Sequence, residues 1–238
     1  MSAPGLTHLA EVGSTNDWLL ARAETLPDGH WVVAQRQTAG RGRRGRVWND
    51  GAGNFMGSVL VKADGPVQQF SFVAALALHQ ALAAATAQPA RFALKWPNDV
   101  LLDGRKCSGI LLERQGKALV IGMGINLARH PDGTERPATS LAAAGLEPPT
   151  PAALLDRLAP GFARWRAVWA DHGFAPIRAA WLERAAGLGG RIVARLGAES
   201  PEGVFAGLAD DGGLLLGLDD GSQRIIHAGE VFQLQGEG

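Results

Sequence analysis

The chain changes its hydrophobic period several times, and each change predicts an element. Leu6 to Val12 reads as a short strand, and Trp31 to Arg36 and Phe55 to Lys62 are β-rich runs. Between the first two, Ser14 can cap a helix, and Asp17 three residues on completes a weak capping box. Leu19, Leu20, Ala23 and Leu26 then recur at helical spacing, which predicts an amphipathic helix over Thr15 to Leu26 ended by Pro27, Asp28 and Gly29. The alanine-rich run Gln68 to Ala87, with Phe72, Leu76, Leu78 and Leu82, predicts a long, largely buried helix.

Strand-like runs follow as a meander: Arg91 to Lys95, Val100 to Leu102 turning at Asp103-Gly104 into Lys106 to Arg114, and Lys117 to Leu127. Ala128 to Ala138, rich in Arg, His, Pro, Asp and Gly, reads as a mobile loop. Thr150 with Pro151 starts a helical region, expected to break near Pro160-Gly161 and to resume through Phe162, Trp165, Val168 and Trp169. Phe174 to Ala186 makes one more helix. At Gly187 to Gly190 the character changes: five short β-rich runs, from Arg191 to Leu234, are separated by turns such as Asp210 to Gly212 and Asp219 to Gly221. That spacing predicts a small barrel. The pattern as a whole is that of an α+β protein, with a mixed β-sheet and helices packed on one side of it in residues 1–187 and a small barrel domain in residues 188–238.

Composition narrows the function classes. Lys+Arg and Asp+Glu are both 23, so the net charge is zero and a generally basic nucleic-acid binder is not expected. The single cysteine, Cys107, excludes an internal disulfide and a cysteine-based zinc site within the chain. No stretch approaches about 18 continuous apolar residues, and the first residues lack the pattern of a secretion signal, so a reducing cytoplasm is expected and a membrane partner is not. The six histidines show no metal spacing, and no Gly-x-Ser-x-Gly elbow is present.

Against this neutral background, Gln37 to Trp48 (QTAGRGRRGRVW) concentrates charge. Arg41, Arg43, Arg44 and Arg46 alternate with Gly40, Gly42 and Gly45. Glycine permits close backbone approach to a ligand, and guanidinium forks suit carboxylate or phosphate. A nucleic-acid tag has the same composition, but this segment lies between two predicted strands, the position of a ligand loop. Further along, Lys95-Trp96-Pro97-Asn98-Asp99 closes one strand and opens the next. It is good turn chemistry, and it also brings a cation and a carboxylate together, as a nucleotide with magnesium requires. Arg105-Lys106-Cys107-Ser108-Gly109-Ile110 reads on its own as a hairpin with solvated charges. Gly122-Met123-Gly124-Ile125-Asn126 lacks the third glycine of a dinucleotide fingerprint, and its glycines suit a ligand lying along the strand.

Taken in order, STN, GRGRRGRVW, KWPND, RKCSGILLE and GMGIN closely resemble the biotin protein ligases, which attach biotin to a lysine of a carrier domain. The resemblance runs from about residue 6 to the C-terminus and implies a class II synthetase-like catalytic domain followed by an SH3-like barrel. It implies biotin contacts from Ser14, Thr15, Asn16, Gln37, Gly40, Arg41, Gly42, Arg43, Trp48, Lys106, Gly109 and Gly124. Nucleotide contacts are implied for Arg41, Arg43, Arg44, Arg46, Lys95, Asn98 and Asn126, catalytic roles for Lys106, Arg43 and Lys95, and a magnesium ligand at Asp99. The implied substrates are biotin and ATP with Mg2+, and the implied partner is a biotin carboxyl carrier domain. Relatives with an N-terminal helix-turn-helix act as repressors; this chain starts at the catalytic domain, so DNA is not an expected partner. Family members are monomers or dimers, so a homodimer is one expected state. A lipoate or octanoate ligase of related fold is the nearest alternative, and an RNA-binding module using the arginine loop is a second.

Overall fold

The computed structural model of the protein describes residues 5–48 and 52–234. Seven strands, β1 (Leu6–Val12), β2 (Trp31–Gln37), β3 (Phe55–Lys62), β4 (Phe92–Lys95), β5 (Asp99–Leu102), β6 (Arg105–Gln115) and β7 (Ala118–Ile125), form one sheet in the order β1-β2-β3-β7-β6-β5-β4. Only β1 and β2 pair in parallel, joined by the crossover that carries α1 (Thr15–Leu20). The remaining pairs are antiparallel, joined in the β5-β6-β7 meander by tight turns.

Strand alternation decides which face each helix covers. In β3, Phe55, Val59 and Val61 point into the main core, shared with α2 (Phe70–Thr86), α3 (Pro151–His172) and α4 (Phe174–Leu182). Leu60, with Val32 of β2 and Val120 of β7, points the other way and meets Leu19 and Ala23 beyond α1. The three longer helices therefore share one face, as expected, while the short α1 departs from the one-sided packing and sits on the opposite face, where Leu19 meets Val32, Leu60 and Val120. α2 is buried almost all round, from Phe70 to Leu82. By length and composition Val67–Thr86 is the one segment among the described residues able to cross a membrane, but it forms the centre of the core.

Three predicted boundaries move. The first helix ends at Leu20 instead of Leu26: Arg22, Ala23 and Thr25 donate to residues three back, tight turns that bring the chain to Pro27, whose ring disfavours helical geometry at Leu26. The helix expected to break at Pro160 runs unbroken to His172. Pro160 lies on the exposed side and removes one donor facing solvent, while Leu155, Leu158 and Phe162 anchor both halves in the core. The last helix stops at Leu182, because Arg184 and Ala186 exchange backbone hydrogen bonds with Leu94 and cover the β4 edge of the sheet.

The second sheet is antiparallel, in the order β11-β10-β9-β8-β12, from β8 (Arg191–Arg195), β9 (Glu202–Leu208), β10 (Leu214–Gly217), β11 (Gln223–Ile226) and β12 (Glu230–Gln233). Its inward residues Phe205, Leu208, Leu214, Leu216 and Val231 are continuous with the main core. Trp181 of α4 joins the two: its ring is edge-on to Phe72 (5.4 Å between centroids) and to Phe205 (6.5 Å). Trp96 Nε1 adds a buried hydrogen bond to the Gly212 carbonyl at 3.0 Å. Because the core is shared, urea unfolding should show a single transition. Trp181→Ala should lower its free energy by about 3–5 kcal/mol; two separated transitions in the wild type, or a loss under about 1 kcal/mol, would contradict a shared core.

Candidate functional site

The face of the sheet that α1 only partly covers is hollow, for a reason visible in the strand register. Gly109 of β6 pairs with Gly124 of β7, and Gly122 of β7 pairs with Ser58 of β3, so four small residues lie side by side. A Cβ at Gly124 would come within 2.3 Å of the Trp48 ring, and one at Gly122 within 2.4 Å of Asn16 Oδ1. Absence of side chains thus lets Trp48 and Asn16 lie against the strands and form the walls of a cavity of about 400 Å³.

The start of α1 supplies the polar end of this cavity. Ser14 caps the helix, its Oγ accepting from the Asp17 amide at 3.4 Å. Thr15 donates through both N and Oγ1 to Gln37 Oε1, at 2.8 and 2.9 Å. Ser58 Oγ lies 2.7 Å from Thr15 Oγ1 and 2.6 Å from Asn16 Oδ1, as donor to either. Ser14, Thr15, Asn16 and Ser58 are all buried, so the network is rigid and its orientations are fixed.

The opposite end is cationic. Lys106 Nζ lies 2.6 Å from Asp99 Oδ1, and Arg136 Nη1 3.4 Å from Asp99 Oδ2. Arg46 pairs with Glu230 of β12 at 2.7 Å, and Arg136 reaches the same carboxylate at 3.5 Å, so the second sheet contributes to the cavity. Among the described residues Arg43 hydrogen-bonds the neutral Asn98 Oδ1, at 3.3 Å, and burial lowers its pKa. For Glu230, burial pushes the carboxyl up, and the hydrogen bond from Arg46 with the charge of Arg136 outweighs it, for a net lowering. Trp48 Nε1 and two nitrogens of Arg136 are buried donors with no hydrogen-bond partner among the described residues.

Most of the residues singled out in the sequence come together here. Ser14, Thr15, Asn16, Gln37, Arg41, Gly42, Arg43, Arg46, Trp48, Asn98, Asp99, Lys106, Gly109, Gly124 and Asn126 all line the cavity. Four take positions other than expected. Arg41 lines the wall, with its guanidinium bonded to Asp17 and Glu113, which hold its pKa up. Arg44, with a left-handed φ of 57°, turns outward and is exposed. Gly40 lies behind the wall, packed on Gln37 and the Trp48 carbonyl. Lys95 lines a smaller adjoining cavity of about 190 Å³, over the Phe232 ring at 5.4 Å, where burial and then Arg136 push its pKa down to about 8.

Asp99 does not fit an open metal ligand. It is 2% exposed and sits between Lys106 and Arg136, and among the described residues no three His, Cys, Asp or Glu side chains gather as a metal set. Arg136, Glu230, Glu113 and Ser58 are site residues that the sequence reading passed over. Arg136 was hidden in a loop with no motif and Glu230 at the far end of the chain. Glu113 closes the RKCSGILLE run and carried a signal in its strand alternation with Gly109 and Leu111.

Residues 9–127 match the biotin/lipoate A/B protein ligase family, and residues 187–233 match the biotin protein ligase C terminal domain. The chain is 47% identical to the biotin–[acetyl-CoA-carboxylase] ligase of Paracoccus denitrificans, across 94% of this chain and 98% of that one. It is 35% identical to the ligase of the same name from Mycobacterium tuberculosis, across 95% and 88%. A biotin protein ligase from Aquifex aeolicus, solved with biotin and ATP, superposes with a TM-score of 0.85 at 28% identity, covering 98% of this chain and 99% of that one. On its sequence and its fold, the chain belongs to the biotin protein ligase family.

Proposed function

We propose that this chain is an ATP-dependent ligase that activates biotin as biotinyl-5′-AMP and transfers it to a lysine of a biotin carboxyl carrier domain. The observation that carries the reading is the polarity of the cavity: a narrow, glycine-floored channel with hydrogen-bonding groups at one end and a surplus of cations at the other. A ligand that fills it has a polar neutral head, a slim apolar middle and an anionic tail. Ser14, Thr15, Asn16 and Gln37 meet the head, and Gly109, Gly124 and Trp48 enclose the middle. Lys106 and Arg43 meet the carboxylate, and Asn98, Asn126, Arg46 and Lys95 lie on the nucleotide side.

In the first step a carboxylate oxygen attacks the α-phosphorus of ATP and the bond to the β-phosphate oxygen breaks, releasing pyrophosphate. Both reactants are anionic, so the protein's task is to neutralise and align them, and Lys106 and Arg43 stand where the two charges meet. In the second step a neutral lysine amine attacks the acyl carbon, AMP departs, and the amine loses its extra proton to solvent. No covalent enzyme intermediate is needed. Magnesium belongs to this reading as the companion of the ATP phosphates; with Asp99 already held by two cations, no step is assigned to a metal bound by the protein. In this reading the division of labour falls between residues 187 and 188, with the second sheet closing the nucleotide side through Glu230, and the chain works in the cytoplasm, where ATP is available.

Lys106→Ala should slow biotin-dependent pyrophosphate release by at least about 10²-fold, the typical loss of one preorganised donor to developing charge. Near-normal release would remove the assignment. Lys95 gives a pH test. With its pKa near 8 it loses its proton above that pH, and an anion that binds it must restore the proton. The KM for ATP should therefore rise several-fold between about pH 7 and 9.5 in the wild type and stay flatter in Lys95→Arg. The same depressed pKa means the buried charge costs stability below about pH 8, a cost relieved as pH rises towards the ordinary lysine value. Equal slopes in both proteins would show that Lys95 does not meet the nucleotide.

A further inference from the structure

Glu113 lies on the cavity face of β6 with a side chain only 25% exposed, and the chemistry above makes no use of it. Its two oxygens join two partners, and Arg41 Nη2 reaches both of them, at 2.9 Å to Oε1 and 3.1 Å to Oε2. Oε2 accepts from Asn16 Nδ2 at 2.7 Å, at the polar end of the cavity. Oε1 accepts from Arg41 Nε and Nη2 at 3.1 and 2.9 Å, at the stem of the arginine loop. The outer edge of the same guanidinium is bidentate on Asp17, at 2.7 and 2.5 Å.

An ionised carboxylate can only accept, so Glu113 obliges the Asn16 amide to turn its NH2 towards β6. Its Oδ1 is then left on the other side, 2.6 Å from Ser58 Oγ and against Gly122, with acceptor capacity still open. One part-buried carboxylate thus sets which way an amide faces in the ligand cavity and where the arginine loop is fastened.

We propose that Glu113 is a positioning residue that couples recognition of biotin to retention of the adenylate. It presents Asn16 as a hydrogen-bond acceptor to an N–H of the ligand's polar head, a feature suited to a cyclic urea, and through Arg41 it pins the loop stem over the bound molecule. Arg41 is in this view the anchor of the loop, and Arg43, hydrogen-bonded to the neutral Asn98, is the side chain presented to an anion. This inference rests on the biotin reading and refines it.

The test compares wild type, Glu113→Gln and Asp17→Asn. The substituted amide keeps the shape of glutamate, but its single carbonyl oxygen cannot hold both partners in the same way. In Glu113→Gln the KM for biotin should rise about 10-fold or more, the scale of a lost hydrogen bond to a charged group. Release of biotinyl-adenylate, followed as labelling of bulk lysines, should accelerate by a similar factor. The KM for ATP should stay within about twofold and Tm within a few degrees. Asp17→Asn loosens only the loop anchor, so it should speed release while the biotin KM stays within about twofold. An unchanged biotin KM in Glu113→Gln would overturn the proposal. So would a parallel rise in both KM values with a large fall in Tm, which would mark a merely structural role. A wild-type protein that forms no biotinyl-adenylate would remove the biotin reading and this inference with it, whereas a normal wild type matched by Glu113→Gln removes this inference alone.

Discussion

Crowding of like charge at one end of the cavity is the constraint around which the rest is arranged. Arg43, Arg46, Lys106 and Arg136, with Lys95 just behind them, face three carboxylates, Asp99, Glu135 and Glu230. Bringing such cations together costs free energy unless anions complete the set; burial first, and then the charge of Arg44 beside Arg43 and of Arg136 beside Lys95, holds the pKa of both below the ordinary value. A site held in this state favours ligands that arrive with negative charge. It does so most when two anions must be brought within bonding distance of each other, which is what joining a carboxylate to a phosphate demands.

The fold supplies this arrangement from elements far apart in sequence. The arginine loop leaves β2, Asp99 opens β5, Lys106 lies near the start of β6, Arg136 comes from the loop after β7, and Glu230 comes from β12 of the second sheet. They meet because the register of β6 on β7 and β7 on β3 stacks small residues on one face and apolar residues on the other. The apolar face is filled by α2, α3 and α4. The small face is capped at one end only, by α1. The second sheet shares the main core through Trp181 and Phe205, so the Glu230 that it contributes is carried on strands packed into the same core as the first sheet.

Much of this was legible in the sequence, where the signal was local. Period and turn chemistry give all the strands of the first sheet within about two residues, and glycines spaced two apart in Gly122-Met123-Gly124 point to a strand that lies against something large. Helix ends were less legible, since Pro160 is tolerated for a reason, packing on both sides, that only the tertiary structure supplies. The charged residues divide in the same way. Composition marks the arginine loop as cationic, but it cannot say that Arg41 is spent on Asp17 and Glu113 while Arg43 is left with Asn98, because those partners are set by the pairing of distant strands. Arg136 and Glu230 carry no motif and acquire meaning only through the carboxylate and guanidinium they meet.

The central claim is that the cavity selects biotin and activates its carboxylate at the α-phosphate of ATP. The most direct measurement is mass spectrometry of acid-quenched mixtures of the protein with ATP, magnesium and, in separate reactions, biotin, lipoate or octanoate. The account predicts biotinyl-adenylate with pyrophosphate in the first mixture and no comparable acyl-adenylate in the other two. Folded protein that forms no biotinyl-adenylate, or forms the lipoyl or octanoyl adenylate in preference, would contradict it.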